Sequence, residues 1–216
     1  MWRLTAKEAG SSASRALRHK PMTPARPSQD LLAIERSALV VIDVQQRYLP
    51  HLHRPTRLVE AVRRLCRGAG IAGVPVVVTE QYPQGLGPTT DAVREALPAG
   101  TLFCTKLSMS CLGSPEFRAW LDSSGRDQIV LAGIEGHACV AQTALELLAA
   151  GRQVRLVLDA ITTRYPFDGE VAVQRLCEAG AVPATVEAVL LEWARTAESP
   201  LFQPLRALIR DPLPDD

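Results

Sequence analysis

The feature that most constrains this chain is a regular alternation. Short, almost uninterrupted Val/Ile/Leu runs are separated by longer stretches whose apolar residues recur at helical spacing. ALVVID (38–43), VPVVVTE (74–80), TLFCTK (101–106), QIVLAGIE (128–135) and QVRLVLDA (153–160) are the runs. Between and after them lie PTRLVEAVRRLCRGAG (55–70), DAVREAL (91–97), SPEFRAWLDSSG (114–125), the stretch around Cys139, DGEVAVQRLCEAGA (168–181) and ATVEAVLLEWART (184–196). Runs that are apolar throughout belong to strands buried on both faces, and strands alternating with helices make a parallel sheet. The predicted fold is therefore α/β: three α/β/α layers around a central, mostly parallel, doubly wound sheet.

With 216 residues the chain has room for one such domain, expected over residues 36–211. Residues 1–35 are rich in Arg, Ser, Ala and Pro and show no apolar period, so they read as a flexible extension, a misplaced start or an organelle transit segment. Charge is almost balanced, 24 Lys plus Arg against 23 Asp plus Glu. No global field recommends nucleic acid or an acidic membrane, and a small-molecule substrate is the natural partner. No apolar run reaches the roughly 20 residues of a membrane span. Five widely spaced cysteines without a C-x-x-C pair argue against a disulfide framework and for a reducing cytoplasm.

In sheets of this kind ligands bind beyond the carboxyl ends of the strands. Asp43 ends the first run, Lys106 ends the third, and Cys139 follows the fourth, at the first turn of a strongly patterned helix. A thiol there sits at the positive end of the helix dipole, where a thiolate is favoured. Each residue also has a plainer reading: a turn cap, a solvated charge, a small core residue. Lysine usage favours chemistry. The chain has only three lysines, and Lys106 is the one within the expected domain. Lys can change its protonation on burial, which Arg cannot.

VVIDVQQRYLP (40–50), TLFCTKLSMSCL (101–112) and GIEGHACVAQTALELL (133–148) together resemble the isochorismatase-like cysteine hydrolases, a superfamily that also contains nicotinamidases. TEQYPQGLGPT (79–89) is similar to the branch of isochorismatase domain-containing proteins. The resemblance implies a catalytic triad of Asp43, Lys106 and Cys139, a cis peptide at Ile134-Glu135, and an oxyanion hole from the backbone N–H groups of Glu135 and Cys139. It implies hydrolysis of a C–N bond in a small amide through a thioester, because isochorismatases that cleave a vinyl ether need no cysteine at this point. A non-catalytic oligomeric binding member of the same fold is the alternative.

Gln45, Tyr48 and Glu135 are expected in the substrate pocket, with Tyr82 and Tyr165 closing it from neighbouring loops. No cofactor is called for. His51 and His53 have metal-ligand spacing, but two ligands make a weak site and no metal is expected. His137, two residues before Cys139, reads as a turn residue. The resemblance and the apolar segments 186–196 and 199–210 point to a homo-oligomer, a dimer or larger.

Overall fold

The computed structural model describes residues 31–215. Six strands form one sheet: β1 (Ser37–Ile42), β2 (Val76–Gln81), β3 (Leu102–Lys106), β4 (Gln128–Gly133), β5 (Gln153–Ile161) and β6 (Val182–Ala184). Their spatial order is β3-β2-β1-β4-β5-β6 and every neighbouring pair is parallel. The helices are α1 (Pro55–Ala72), the short α2 (Pro83–Leu86) and α3 (Asp91–Arg94), α4 (Pro115–Ser123), α5 (Ala141–Ala149), α6 (Pro166–Glu178), α7 (Val186–Ala194) and α8 (Phe202–Leu208). The chain starts in the middle of the sheet, winds outward to β3, returns to β4 beside β1 and winds out the other way. The crevice beyond β1 and β4, where the winding reverses, is the ligand position for such a topology.

The two faces of each strand supply two cores, as the side-chain period of two requires. Leu39, Val41, Val76, Val78 and Val130 pack against Leu58, Val62 and Leu65 of α1, Val189 and Trp193 of α7, and Leu205 of α8. Val40, Ile42, Val77, Ile129 and Leu131 meet Phe117 and Leu121 of α4, Ala144 and Leu147 of α5, and Leu176 of α6. The apolar residues of 186–196 and 199–210 that suggested self-association are thus largely used within the chain, through Val186, Val189, Leu190, Trp193 and Leu205. They carry no argument for assembly.

Leu32 is buried in the first core and its N–H donates to Glu192 at 2.7 Å. The packed body therefore includes residues that the sequence reading placed in the extension. The expected flexibility and transit function of residues 1–30 lie outside the described residues. Among the described residues no helix is long and apolar enough to cross a membrane.

Gly133, at the end of β4, pairs with Ile42 of β1 and has a φ of 116°. A Cβ on this residue would stand 2.1 Å from the Ile42 carbonyl oxygen, a main-chain atom that cannot move aside. Gly151 also has positive φ, 76°, but nothing lies within 4 Å of where its Cβ would be. Gly133→Ala is therefore expected to cost about 3 kcal/mol or more, from overpacking and from a strained backbone together. Gly151→Ala should cost about 1 kcal/mol, from the backbone alone. At ~2–4 °C per kcal/mol for a domain of this size, thermal melts of the two variants should differ by at least about 4 °C.

Candidate active site

Asp43 follows directly on β1, with φ of 55°, a left-handed conformation that aspartate tolerates better than most residues. Its N–H donates to the Thr79 carbonyl at 3.1 Å, which ties the turn to β2. Lys106 is the last residue of β3 and reaches across the end of β2. Its Nζ donates to Asp43 Oδ2 at 2.6 Å and to Gln81 Oε1 at 2.7 Å. The carbonyls of Met109 and Ser108 accept from the same ammonium at 3.1 and 3.3 Å. The other Asp43 oxygen, Oδ1, accepts from the Thr79 hydroxyl at 2.8 Å.

The Lys106 and Asp43 side chains are 0% and 4% exposed, so this is a buried ion pair with hydrogen bonds on both partners. Burial by itself would lower the Lys106 pKa. The Asp43 charge, the Cys139 sulfur and the hydrogen bond to Asp43 outweigh it, and the net direction is up from 10.5. The ammonium is therefore held charged.

Cys139 lies in a five-residue π-turn, Gly136–Val140, that leads straight into α5, and it is 7% exposed. Its sulfur is 4.0 Å from Gln81 Oε1 and 3.8 Å from Met109 Sδ. Burial pushes the thiol up to about 12; the Asp43 carboxylate raises it further, while Lys106 lowers it. This corrects the expectation from sequence. A helix start favours the thiolate, but desolvation wins here, and the resting sulfur carries its proton.

The remaining candidates divide. The Ile134-Glu135 peptide is cis. The Glu135 side chain is saturated: it accepts from the Tyr48 hydroxyl at 2.6 Å, from the Arg164 backbone N–H at 2.9 Å and from Arg164 Nε at 3.2 Å. Tyr48 and Glu135 thus fasten the β1 turn to the loop after β5. Burial and the bond to Glu135 push the Tyr48 phenol up to about 12.

Gln45 is wholly buried and uses both ends of its amide on the 81–87 segment. Its Nε2 donates to the carbonyls of Gln81 and Gly87, and its Oε1 accepts from the Gln81 N–H. Tyr82 lines a cleft of about 620 Å³ with Lys106, Leu107, Ser108 and Pro115. Tyr165 is 62% exposed, with the Arg164 guanidinium 5.7 Å from its ring centroid. A separate, largely apolar cleft of about 520 Å³ between β5 and α6 is lined by none of Asp43, Lys106 and Cys139. Among the described residues no group of three or more His, Cys, Asp and Glu is arranged to hold a metal ion.

Residues 37–188 match the family model of the isochorismatase domain. The chain belongs to the isochorismatase family. It is 35% identical over 196 residues to isochorismatase domain-containing protein 2A of Mus musculus, a match that covers 90% of this chain and 92% of the relative. With isochorismatase domain-containing protein 2 of Danio rerio it shares 36% over 185 residues, covering 85% and 92%. Among solved structures, the MAR1 ribonuclease from Caenorhabditis elegans superposes with a TM-score of 0.83 at 33% identity, covering 86% of this chain and 95% of that one.

Within this isochorismatase domain, sequence reasoning missed Gln81, Thr79 and Met109. Gln81 and Thr79 sit in the TEQ segment at the end of β2, the strand between the two that carry Asp43 and Lys106. Strand adjacency was the available signal, since a lysine reaching from β3 to β1 must cross β2. Met109 had none, because it belongs to an irregular loop.

Glu135 gives the site a testable pH signature. Burial raises its pKa, but the hydrogen bond from Tyr48 and the bonds and charge of Arg164 outweigh burial, and the net direction is down from 4.5. A carboxylate titrating lower in the folded than in the unfolded chain stabilises the fold above pH 4.5, and that contribution disappears as pH falls through the folded value. Melting temperature is expected to drop as pH goes from about 5 to about 3, and Glu135→Gln should flatten part of that drop while lowering stability at about pH 7. Thermal melts across pH check both.

Proposed function

We propose that this chain is a cysteine hydrolase of small neutral amides. The observation that carries the reading is a buried cysteine, Cys139, 4.0 Å from the Gln81 oxygen that also accepts from Lys106, beside a carboxylate that is itself held by that buried ammonium. Burial and the Asp43 charge push the thiol pKa up, which disfavours a resting thiolate, so in this reading the proton leaves as the sulfur attacks.

Asp43 takes that proton. The Cys139 sulfur bonds to the amide carbon, and the carbonyl oxygen becomes an oxyanion received by the backbone N–H groups of Glu135 and Cys139 at the start of the helical segment. The C–N bond breaks and Asp43 returns the proton to the leaving amine. Water, activated by Asp43, then cleaves the thioester, releases a carboxylic acid and restores the thiol. Lys106, 2.6 Å from the carboxylate, holds Asp43 in position throughout.

The charges around the site support a neutral substrate. Arg164 is paired with Glu135, Arg47 donates to the carbonyls of Gln84 and Gly85, and the Lys106 side chain is fully buried and bonded to Asp43 and Gln81. A dianion such as isochorismate would compete with the Glu135 carboxylate for Arg164 and find Lys106 buried against Asp43. The same fact weighs against a phosphodiester. RNA nevertheless belongs in the test, because a structural relative at 33% identity is described as a ribonuclease.

The experiment is an ammonia-release screen of neutral carboxamides and ureido compounds, run beside an RNA-cleavage assay, with wild type and Cys139→Ala in each. Turnover of an amide that vanishes in Cys139→Ala is the expected result. RNA cleavage that survives Cys139→Ala would overturn the amidase reading. Asp43→Asn supplies a second check, because the carboxylate has two opposed effects. It accepts the proton in turnover, yet its charge raises the pKa of the resting thiol. Turnover in Asp43→Asn should fall about 10²–10⁴-fold. Iodoacetamide should nonetheless label Cys139 faster than in wild type, read by mass spectrometry at each cysteine.

A further inference from the structure

Of the described side chains that the Cys139 sulfur touches, Met109 is the one no hydrogen bond ties down. Asp43 is pinned by Lys106 and by Thr79, and Gln81 is tied at both ends of its amide, accepting from Lys106 and donating to the Leu107 carbonyl. The Met109 thioether, 3.8 Å from Cys139 Sγ, belongs to a residue that is 43% exposed. Its main chain is anchored through the carbonyl that accepts from Lys106, so the side chain can swing on a fixed base. Methionine is unbranched and has three side-chain torsions to do this with.

An electrophilic carbon must come to about 3–3.5 Å from the attacking sulfur. A thioether already in van der Waals contact with that sulfur occupies the same space. On this side of Cys139, the Met109 side chain and a bound acyl group exclude one another. The loop cannot yield as a whole, because Lys106 holds the carbonyls of Ser108 and Met109 while Gln81 holds that of Leu107. Only the side chain can give way.

We propose that Met109 is a specificity-determining residue, a displaceable plug whose volume limits the acyl part of the amide and whose thioether lines that part once it is bound. The accepted acyl group is accordingly small and apolar. This rests on Cys139 being the nucleophile.

The test needs no substrate. Iodoacetamide and the bulkier N-phenyl iodoacetamide each form an Sγ–CH2 bond and release iodide, the thiol proton passing to the medium. Rates at Cys139 are measured by mass spectrometry on the full chain at about pH 8, with the half-buried Cys177 as internal reference. Met109→Ala is expected to speed the phenyl reagent at Cys139 about tenfold and iodoacetamide by no more than about threefold, with Cys177 unchanged. Met109→Leu, which restores the volume, should hold both rates within about twofold of wild type. A ratio of the two rates that is the same in wild type and Met109→Ala overturns the proposal and leaves the nucleophile reading standing. Failure of Cys139 to label in every variant, while Cys177 does, overturns both.

Discussion

The rest of the site depends on one buried ion pair. Moving an ammonium and a carboxylate out of water costs several kcal/mol for each ion, and their mutual attraction offsets this only when geometry is good and the remaining donors and acceptors are met. Here Lys106 and Asp43 stand 2.6 Å apart, Thr79 donates to the free carboxylate oxygen, and Gln81 with two loop carbonyls accepts from the ammonium. Meeting all these conditions at once fixes the ends of β1, β2 and β3 and the loop after β3 relative to each other. Removing one partner would leave a buried charge with no counterion, which is why the strand ends are so closely specified.

The same pair explains the state of the thiol. Its two charges act on Cys139 in opposite senses, so burial is the largest influence on the sulfur. A helix terminus offers the equivalent of about half a charge, screened and short-ranged. For a residue this buried it is not enough. In the proposed reaction, reactivity comes from a base that takes the proton during attack, and the carboxylate is better suited to that than to stabilising a resting thiolate.

Much of this was legible in the sequence, for physical reasons. Uninterrupted apolar runs such as ALVVID can only be strands covered on both faces, so layer order and the functional edge follow. A single lysine in an arginine-rich domain marked Lys106 because the two cations differ in chemistry. The three residues of β6, with a proline among them, carry too little pattern to announce a strand. Gln45, Tyr48 and Glu135, expected to line the pocket, have side chains that fasten loops to one another. A polar residue looks the same in sequence whether it faces a ligand or fastens a loop, and only the partners at 2.6–3.0 Å separate the two. The helix-start position of Cys139 was legible, while the burial that raises its pKa was not, because desolvation depends on neighbours contributed by other strands.

Burial acts on the other cysteines as well. The thiols of Cys66 and Cys111 are pushed up to about 12 and that of Cys104 to about 11, and Cys177 is raised too. Peroxide and most electrophiles react with the thiolate, and burial disfavours that form at all five cysteines. In the proposed reaction Cys139 is then a latent nucleophile, whose proton is taken as the amide comes within reach of the sulfur.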